Sequence, residues 1–551
     1  LQGDDTYYVT GYTGTATQIK IPNTYLDKSV TGIGYQAFKG KSITDVVIPN
    51  SVTIIGDQAF ISCSALINVI LGNSVTTIGY RAFRGDAKIT EIILPNSVTT
   101  IGNDAFNSCS TLANVIFGNG LISLGDNAFA STALVTVTLS DGITSIGAMA
   151  FYSCAKLTTV NLGSGLTTLA ADAFGNCSLL SAINVNEGNE KYFSNGGILY
   201  DGTANVLVLC PIAKTDAVTV PEGILSLPNK AFYNCKLITS VIIANSVISI
   251  GEQAFMGCIA LENITLGNSV TSIGNSAFKN DSKLIEIIIP DSVTTIGMEA
   301  FSSCSTLASV VFGSGIISIS EKTFTGCAFV TVTLSDSITS IGAMAFYSCT
   351  KLTTVNIGSG LTTLAADAFG YCSLLSAINV IGSNEKYFSN DGILYDNTVK
   401  VLVLCPVVKA GTVIIPDGIL SLPNNAFNAC KLITSVIISD SVTSIGNQAF
   451  NTCIALTNVV IGSGVETIGS NIFNGATAIT TVYYKGDSTG WAAITIGDLN
   501  DTLNNATLYY YSATELLKQA IIGIFSKAYL PFGSNLLVSF LFLLLNLHRK
   551  A

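Results

Sequence analysis

Along most of the chain, apolar residues come in short clusters separated by Thr, Ser, Asn and Gly, and the clusters repeat at a fixed distance. The clearest marker is the phrase I-G-x-x-A-F. Its phenylalanines fall at Phe38, Phe60, Phe83, Phe106, Phe129, Phe151 and Phe174. They continue at Phe232, Phe255, Phe278, Phe301, Phe324, Phe346 and Phe369, and end at Phe427, Phe450 and Phe473. Successive anchors lie 22 or 23 residues apart, except for two steps of 58. Alanine precedes fifteen of the seventeen, the exceptions being Thr323 and Ile472. Such a period belongs to stacked units, none of which can bury its apolar face alone.

One unit, 157–177, reads LTTVNLGSGLTTLAADAFGNC. Leu157, Val160 and Leu162 give an L-x-x-V-x-L pattern, which predicts a short strand with its apolar side chains inward. Gly163 and Gly165 are expected to permit the turn that follows. A second apolar phrase, Leu166 to Leu169, leads to Ala173 and Phe174, where the ring fills the interior and the small neighbour lets the backbone close up. Strands of neighbouring coils would pair in parallel at a spacing of about 4.8 Å.

A larger period sits above the small one. Phe60, Phe255 and Phe450 are 195 residues apart, as are Phe174 and Phe369. The phrase IGAMAFYSC stands at 146–154 and again at 341–349. The chain therefore carries roughly two and a half copies of one 195-residue block.

The full pattern, L-x-x-I-x-(I/L)-P/G-x-x-V-x-x-I-G-x-x-A-F-x-x-C, resembles the BspA-like leucine-rich repeat family of bacterial and protozoan surfaces. Its phrases stand here as ITEIILP at 89–95 and LIEIIIP at 284–290, each followed by N/D-S-V-T-T-I-G. The resemblance covers about residues 30–480. It implies a leucine-rich repeat solenoid: a curved, right-handed coil lined by parallel β-sheet, mostly β with short turns, capped at both ends. It also implies a part in adhesion to host or matrix components.

Within the long steps, NEKYFSNGGILYD at 189–201 and NEKYFSNDGILYD at 384–396 resemble the hairpin-bearing long repeat of that family. Gly197 and Gly392 suit a turn before the strand ILY, and VLVLCP reads as the returning strand. Enlarged coils with protruding hairpins are expected near 183–220 and 378–415. Tyr192, Tyr200, Tyr387 and Tyr395 are then candidate ligand contacts, because tyrosine offers rigid amphipathic area.

Composition narrows the chemistry. Of 551 residues, 11% are charged and the net charge is −10, so no basic cluster is at hand to neutralise phosphates, and nucleic acid is excluded as a partner. The single histidine, His548, lies near the end, which removes histidine-based acid/base catalysis and most zinc sites from the body of the chain. No catalytic, cofactor or metal residue is expected. Twelve of the fourteen cysteines follow an anchor phenylalanine by three residues, as Cys154 and Cys349 do; Asp86, Thr132, Asp281 and Ala476 take that place elsewhere. A position that tolerates Asp, Thr or Ala is not that of a nucleophile. Phe151, Phe174, Phe346, Phe369, Cys154 and Cys349 are thus structural anchors, with the thiols expected to be mostly free.

At the ends, residues 1–30 suit an N-terminal β cap, and 481–511, with Trp491 in a core position, an aromatic C-terminal cap; the solenoid occupies 31–480. The chain opens at Leu1 without methionine, which fits a removed leader or a piece of a longer protein. From 512 to 551 the composition turns apolar, and 528–547 is long enough to span a bilayer with its basic end at the cytoplasm. The same segment also suits a helix buried in packing or in an oligomer contact. The leading expectation is a non-enzymatic adhesion scaffold, secreted or at the cell surface, meeting a protein, matrix or host-surface ligand with its sheet face or hairpins. The alternative is an extracellular structural protein that self-associates into fibres or layers.

Overall fold

The computed structural model describes residues 5–170 and 172–511; the apolar tail 512–551, with its segment 528–547, lies outside the described residues. Contacts divide the chain into two compact units, Leu1–Leu374 with Val380–Asn384 and Leu375–Asn379 with Glu385–Ala551. Each is a parallel β-solenoid.

In the first unit a coil contributes one strand to each of two sheets. Strand Thr159–Leu162 pairs in parallel with Thr136–Thr138 of the preceding coil and with Ala182–Val185 of the next. The shorter strand Thr168–Leu169 pairs with Ser145–Ile146. Leu157, Val160 and Leu162 are fully buried, as their spacing predicts. The second unit repeats the arrangement, with Asn458–Ile461 between Leu432–Ile437 and Thr481–Tyr484.

The anchor phenylalanines stack face to face from coil to coil. Between Phe38 and Phe174 consecutive ring centroids lie 4.9–5.6 Å apart with planes within 9° of parallel. A second stack runs from Phe232 to Phe369, through Phe346, and a third joins Phe427, Phe450 and Phe473 in the second unit. Each ring inside a stack is covered on both faces by its neighbours, and burying such a side chain is worth about 1.5–3 kcal/mol in apolar transfer. The planes and spacings are those of a one-dimensional array.

The glycines of a coil act differently from what the sequence leads one to expect of Gly163. Gly147 and Gly163 do not supply positive φ. A Cβ on Gly147 would lie 2.7 Å from the backbone nitrogen of Asp126, and one on Gly163 would collide with the carbonyl oxygen of Ser140. These glycines let adjacent coils approach. The left-handed conformation falls instead two residues before and two after the ring, as at Met149 (φ 54°) and Ser153 (φ 56°) around Phe151.

Turn asparagines and aspartates tie coils together as well. Oδ1 of Asp141 accepts the N–H of Ser164, and Oδ1 of Asn103 accepts that of Asp126. Acidic residues at these turns thus act as acceptors between coils. The backbone N–H of Ser164 is the chief reason the Asp141 carboxyl sits below its usual range.

In the first long step, Tyr192–Asn195 and Ile198–Asp201 form an antiparallel hairpin, and Val206–Leu209 returns against the second strand. Tyr387–Asn390, Ile393–Asp396 and Val401–Leu404 do the same in the second unit. Oδ1 of Asp201 caps the following turn through the N–H groups of Thr203 and Ala204. The hairpin does not protrude. Ile198, Leu199 and Tyr200 are buried, so its strands lie in the wall of the coil.

Near the described ends, Tyr7–Val9 pairs with Lys28–Ile33 in the first unit, and Thr507–Tyr510 pairs with Thr481–Tyr484 in the second. Trp491 is half-buried and packs edge-on against Tyr484, with ring centroids 5.3 Å apart.

Candidate protein-binding face

The four tyrosines expected to meet a ligand are removed from solvent. Tyr192 and Tyr387 are 5% and 4% exposed, and Tyr200 and Tyr395 are fully buried. Their role as contacts is therefore corrected. Tyr200 stands opposite Phe193 and stacks on it, which puts Tyr192 on the other face of the hairpin; the second strand is buried at all four residues, so both faces are covered. Burial also raises the Tyr200 and Tyr395 hydroxyls well above their ordinary range.

The cysteines form an internal ladder. All fourteen are free and buried. The Cys154 thiol donates to the carbonyl of Phe129, and the Cys349 thiol to that of Phe324, each at 3.2 Å. The same bond joins Cys63 to Phe38 and Cys453 to Phe427. A small side chain with a weak donor is what this corner uses, since it satisfies a carbonyl of the preceding coil without adding volume. Burial, then the negative charge of Asp86, pushes the Cys63 thiol up to about 12. Such thiols are poor nucleophiles. Among the described residues no group of His, Cys, Asp and Glu is placed to hold a metal ion, and no helix is long and apolar enough to cross a membrane.

The surface that remains chemically distinctive is the outer face of the longer strands. In Asn68–Ile70, Glu91–Ile93 and Asn114–Ile116 the middle residue is buried and the flanking two are exposed. Period-two alternation therefore turns the third residue of each strand outward. Ile70, Ile93 and Ile116 are 58%, 61% and 51% exposed and continue a column begun by Val47. Ile93 and Ile116 are directly opposite in register. Beside them runs a polar column of Asp45, Asn68, Glu91 and Asn114, in which Asn68 donates to Asp45 at 2.6 Å. A depression opens on this face, lined by Asp45, Val47, Asn68, Ile70, Glu91 and Ile93.

The other face of the same unit carries mostly threonine at its outward positions, with Ile122, Leu225, Ile248 and Ile317 exposed among them. Its outward threonines bond to the coil before, as Thr76 does to the Thr53 carbonyl and Thr99 to that of Thr76. The L-x-x-V-x-L spacing marked the strands but gave no reason to single out the third residue of three consecutive coils. Aliphatic residues at outward positions were the available signal.

Model matches for the BspA type leucine-rich repeat region fall on residues 15–92, 31–138, 76–196, 212–297, 271–395 and 407–493. The chain belongs to the BspA-type leucine-rich repeat family. A leucine-rich cell surface protein from Faecalibacterium prausnitzii is 24% identical over 70% of this chain and 92% of its own, with a TM-score of 0.37. The pneumococcal vaccine antigen PcpA is 23% identical over 69% and 88%, with a TM-score of 0.41. A leucine-rich repeat protein from Bacteroides ovatus is 20% identical over 93% and 96%, with a TM-score of 0.27. No curated protein matches the chain.

Proposed function

We propose that this BspA-type repeat protein is a non-enzymatic, protein-binding scaffold exposed at a cell surface or secreted, where it serves adhesion, and that it meets its ligand with the outer face of the longer strands. The observation that carries the reading is the column of Ile70, Ile93 and Ile116, each more than half exposed on consecutive coils. An isolated surface isoleucine is ordinary, whereas a contiguous aliphatic strip on a rigid sheet favours association. Family membership supports the scaffold role, and the surface origin given for the Faecalibacterium relative supports the location.

The test is selection of binders from a random peptide library on the full chain, followed by hydrogen–deuterium exchange of the complexes. Protection at 68–70, 91–93 and 114–116 is the expected result. Binders that protect only the threonine-lined face would overturn the assignment.

A further inference from the structure

The depression on the first unit's longer-strand face has both a shape and a charge that select an occupant. Ile70 and Ile93 line it, and Ile116 continues their column one coil step beyond it. The rings beneath show that step to be close to 5 Å, with Phe60 to Phe83 at 5.0 Å and Phe83 to Phe106 at 5.2 Å. An extended peptide laid along the column presents same-face side chains about 6.6 Å apart and falls out of step after one contact. A helix advances about 4.5–6 Å from i to i+3 or i+4, and about 10.5 Å from i to i+7. Three isoleucines over two coil steps therefore match the i, i+3/i+4, i+7 stripe of an amphipathic helix lying across the strands.

The flanking column supplies the charge. Asp45 and Glu91 stand two coils apart, and neither takes part in the ion pairs formed among the described residues. Oδ1 of Asp45 accepts the Asn68 amide and Oδ2 the Thr44 hydroxyl, so the carboxylate is held in place on the face. Glu91 is exposed at the lip of the depression. The corresponding face of the second block differs at defined points: Ser240 stands for Asp45 and Thr265 for Ile70, while Glu286 and Ile288 keep the other two. The charged, fully aliphatic version is thus confined to the first block.

We propose that this face docks an amphipathic helical segment of a partner protein, its aliphatic stripe on Ile70, Ile93 and Ile116 and its basic residues, one heptad apart, on Asp45 and Glu91. This rests on the proposed function and names the chemistry of the partner. The carboxylates set polarity and choice of partner, and the isoleucines supply the apolar contact.

The experiment titrates the full chain with three synthetic 18-residue peptides. Two are helical with the same leucine stripe, one flanked by lysines and one by glutamates; the third has the lysine composition with prolines that forbid a helix. The lysine helix is expected to bind about tenfold tighter than either other peptide at low salt. That preference should vanish in Asp45→Ser/Glu91→Gln, and Ile70→Thr should weaken the lysine helix. Ser and Thr are the residues the second block carries at the first and third of these positions, so folding is preserved, and far-ultraviolet circular dichroism checks it.

Four outcomes overturn the proposal. A lysine helix that binds the double variant as tightly as the native chain is held elsewhere on the acidic surface. A proline peptide that binds equally well excludes the helical occupant. Absence of binding by all three excludes the stated partner chemistry. Equal binding of both helices, weakened alike by Ile70→Thr, removes the charge selection yet leaves the sheet-face reading standing, so the two failures are distinguishable.

Discussion

Oδ1 of Asp281 accepts the backbone N–H of Cys258 at 2.8 Å, inside the core, while its other carboxyl oxygen has no partner in the protein. Asp281 occupies the corner where Cys258 stands one coil before it and Cys304 one coil after. Asp86 holds the same place 195 residues earlier, between Cys63 and Cys109. Both carboxyls are fully buried, and burial raises that of Asp86 to about 9. The folded chain therefore keeps a proton that the unfolded chain releases from its ordinary carboxylate range upward.

The sign follows from that difference. The stability owed to Asp86 is complete below about pH 4, falls by about 1.4 kcal/mol per pH unit as the unfolded carboxyl ionises, and levels off above about pH 9. Asp86→Cys installs the residue of the neighbouring corners. It is expected to stabilise the protein by about 2–4 kcal/mol at pH 7 and to flatten the decline between pH 5 and 8. Denaturant unfolding across that range reads both effects; an unchanged midpoint and slope would contradict the assignment.

The thiols should be silent in the folded protein. All fourteen are buried, and burial pushes thiols such as those of Cys327 and Cys453 above their ordinary range. An alkylating reagent at pH 8 is expected to modify none in native buffer and all fourteen in guanidinium. Intact-mass spectrometry counts the adducts. Rapid native labelling of any one would show a corner that opens.

Thr452 adopts φ 55°, a left-handed conformation that a β-branched residue reaches at a cost of about 1–2 kcal/mol. One coil later the same position is Gly475, at φ 70°. Thr452→Gly is expected to raise stability by about 1 kcal/mol, and Gly475→Thr to lower it by a similar amount. Thermal unfolding of the pair settles the direction; a loss of stability in Thr452→Gly would mean that its side chain contributes more than the strain it bears.

Much of the fold was legible in the sequence because a solenoid writes its period directly. Phe151 and Phe174 could be placed in the core from spacing alone, as could Leu157, Val160 and Leu162. The corner chemistry was not legible, because the left-handed residues Met149 and Ser153 carry no glycine, and the glycine at 147 answers a contact with the preceding coil that no single unit reveals. The tyrosines were misread for a related reason. Hairpin sequence marks a projecting loop only when its apolar residues lack a partner, and those of Tyr192 and Tyr200 find one in the coil wall. The exposed isoleucines share their residue type with buried ones, and only strand register separates Ile92 from Ile93.

Paired substitutions on the two faces test most directly whether the longer-strand face is the binding surface. Ile93→Thr/Ile116→Thr replaces aliphatic residues by the type found one coil further on at Thr138, and Ile122→Thr makes the same change on the opposite face, where Ile122 is 48% exposed. Affinities of the library-selected binders for the three proteins are then compared by calorimetry. The double variant is expected to lose about tenfold or more in affinity, with Ile122→Thr unchanged. Equal affinities for the native chain and Ile93→Thr/Ile116→Thr, with loss confined to Ile122→Thr, would contradict it.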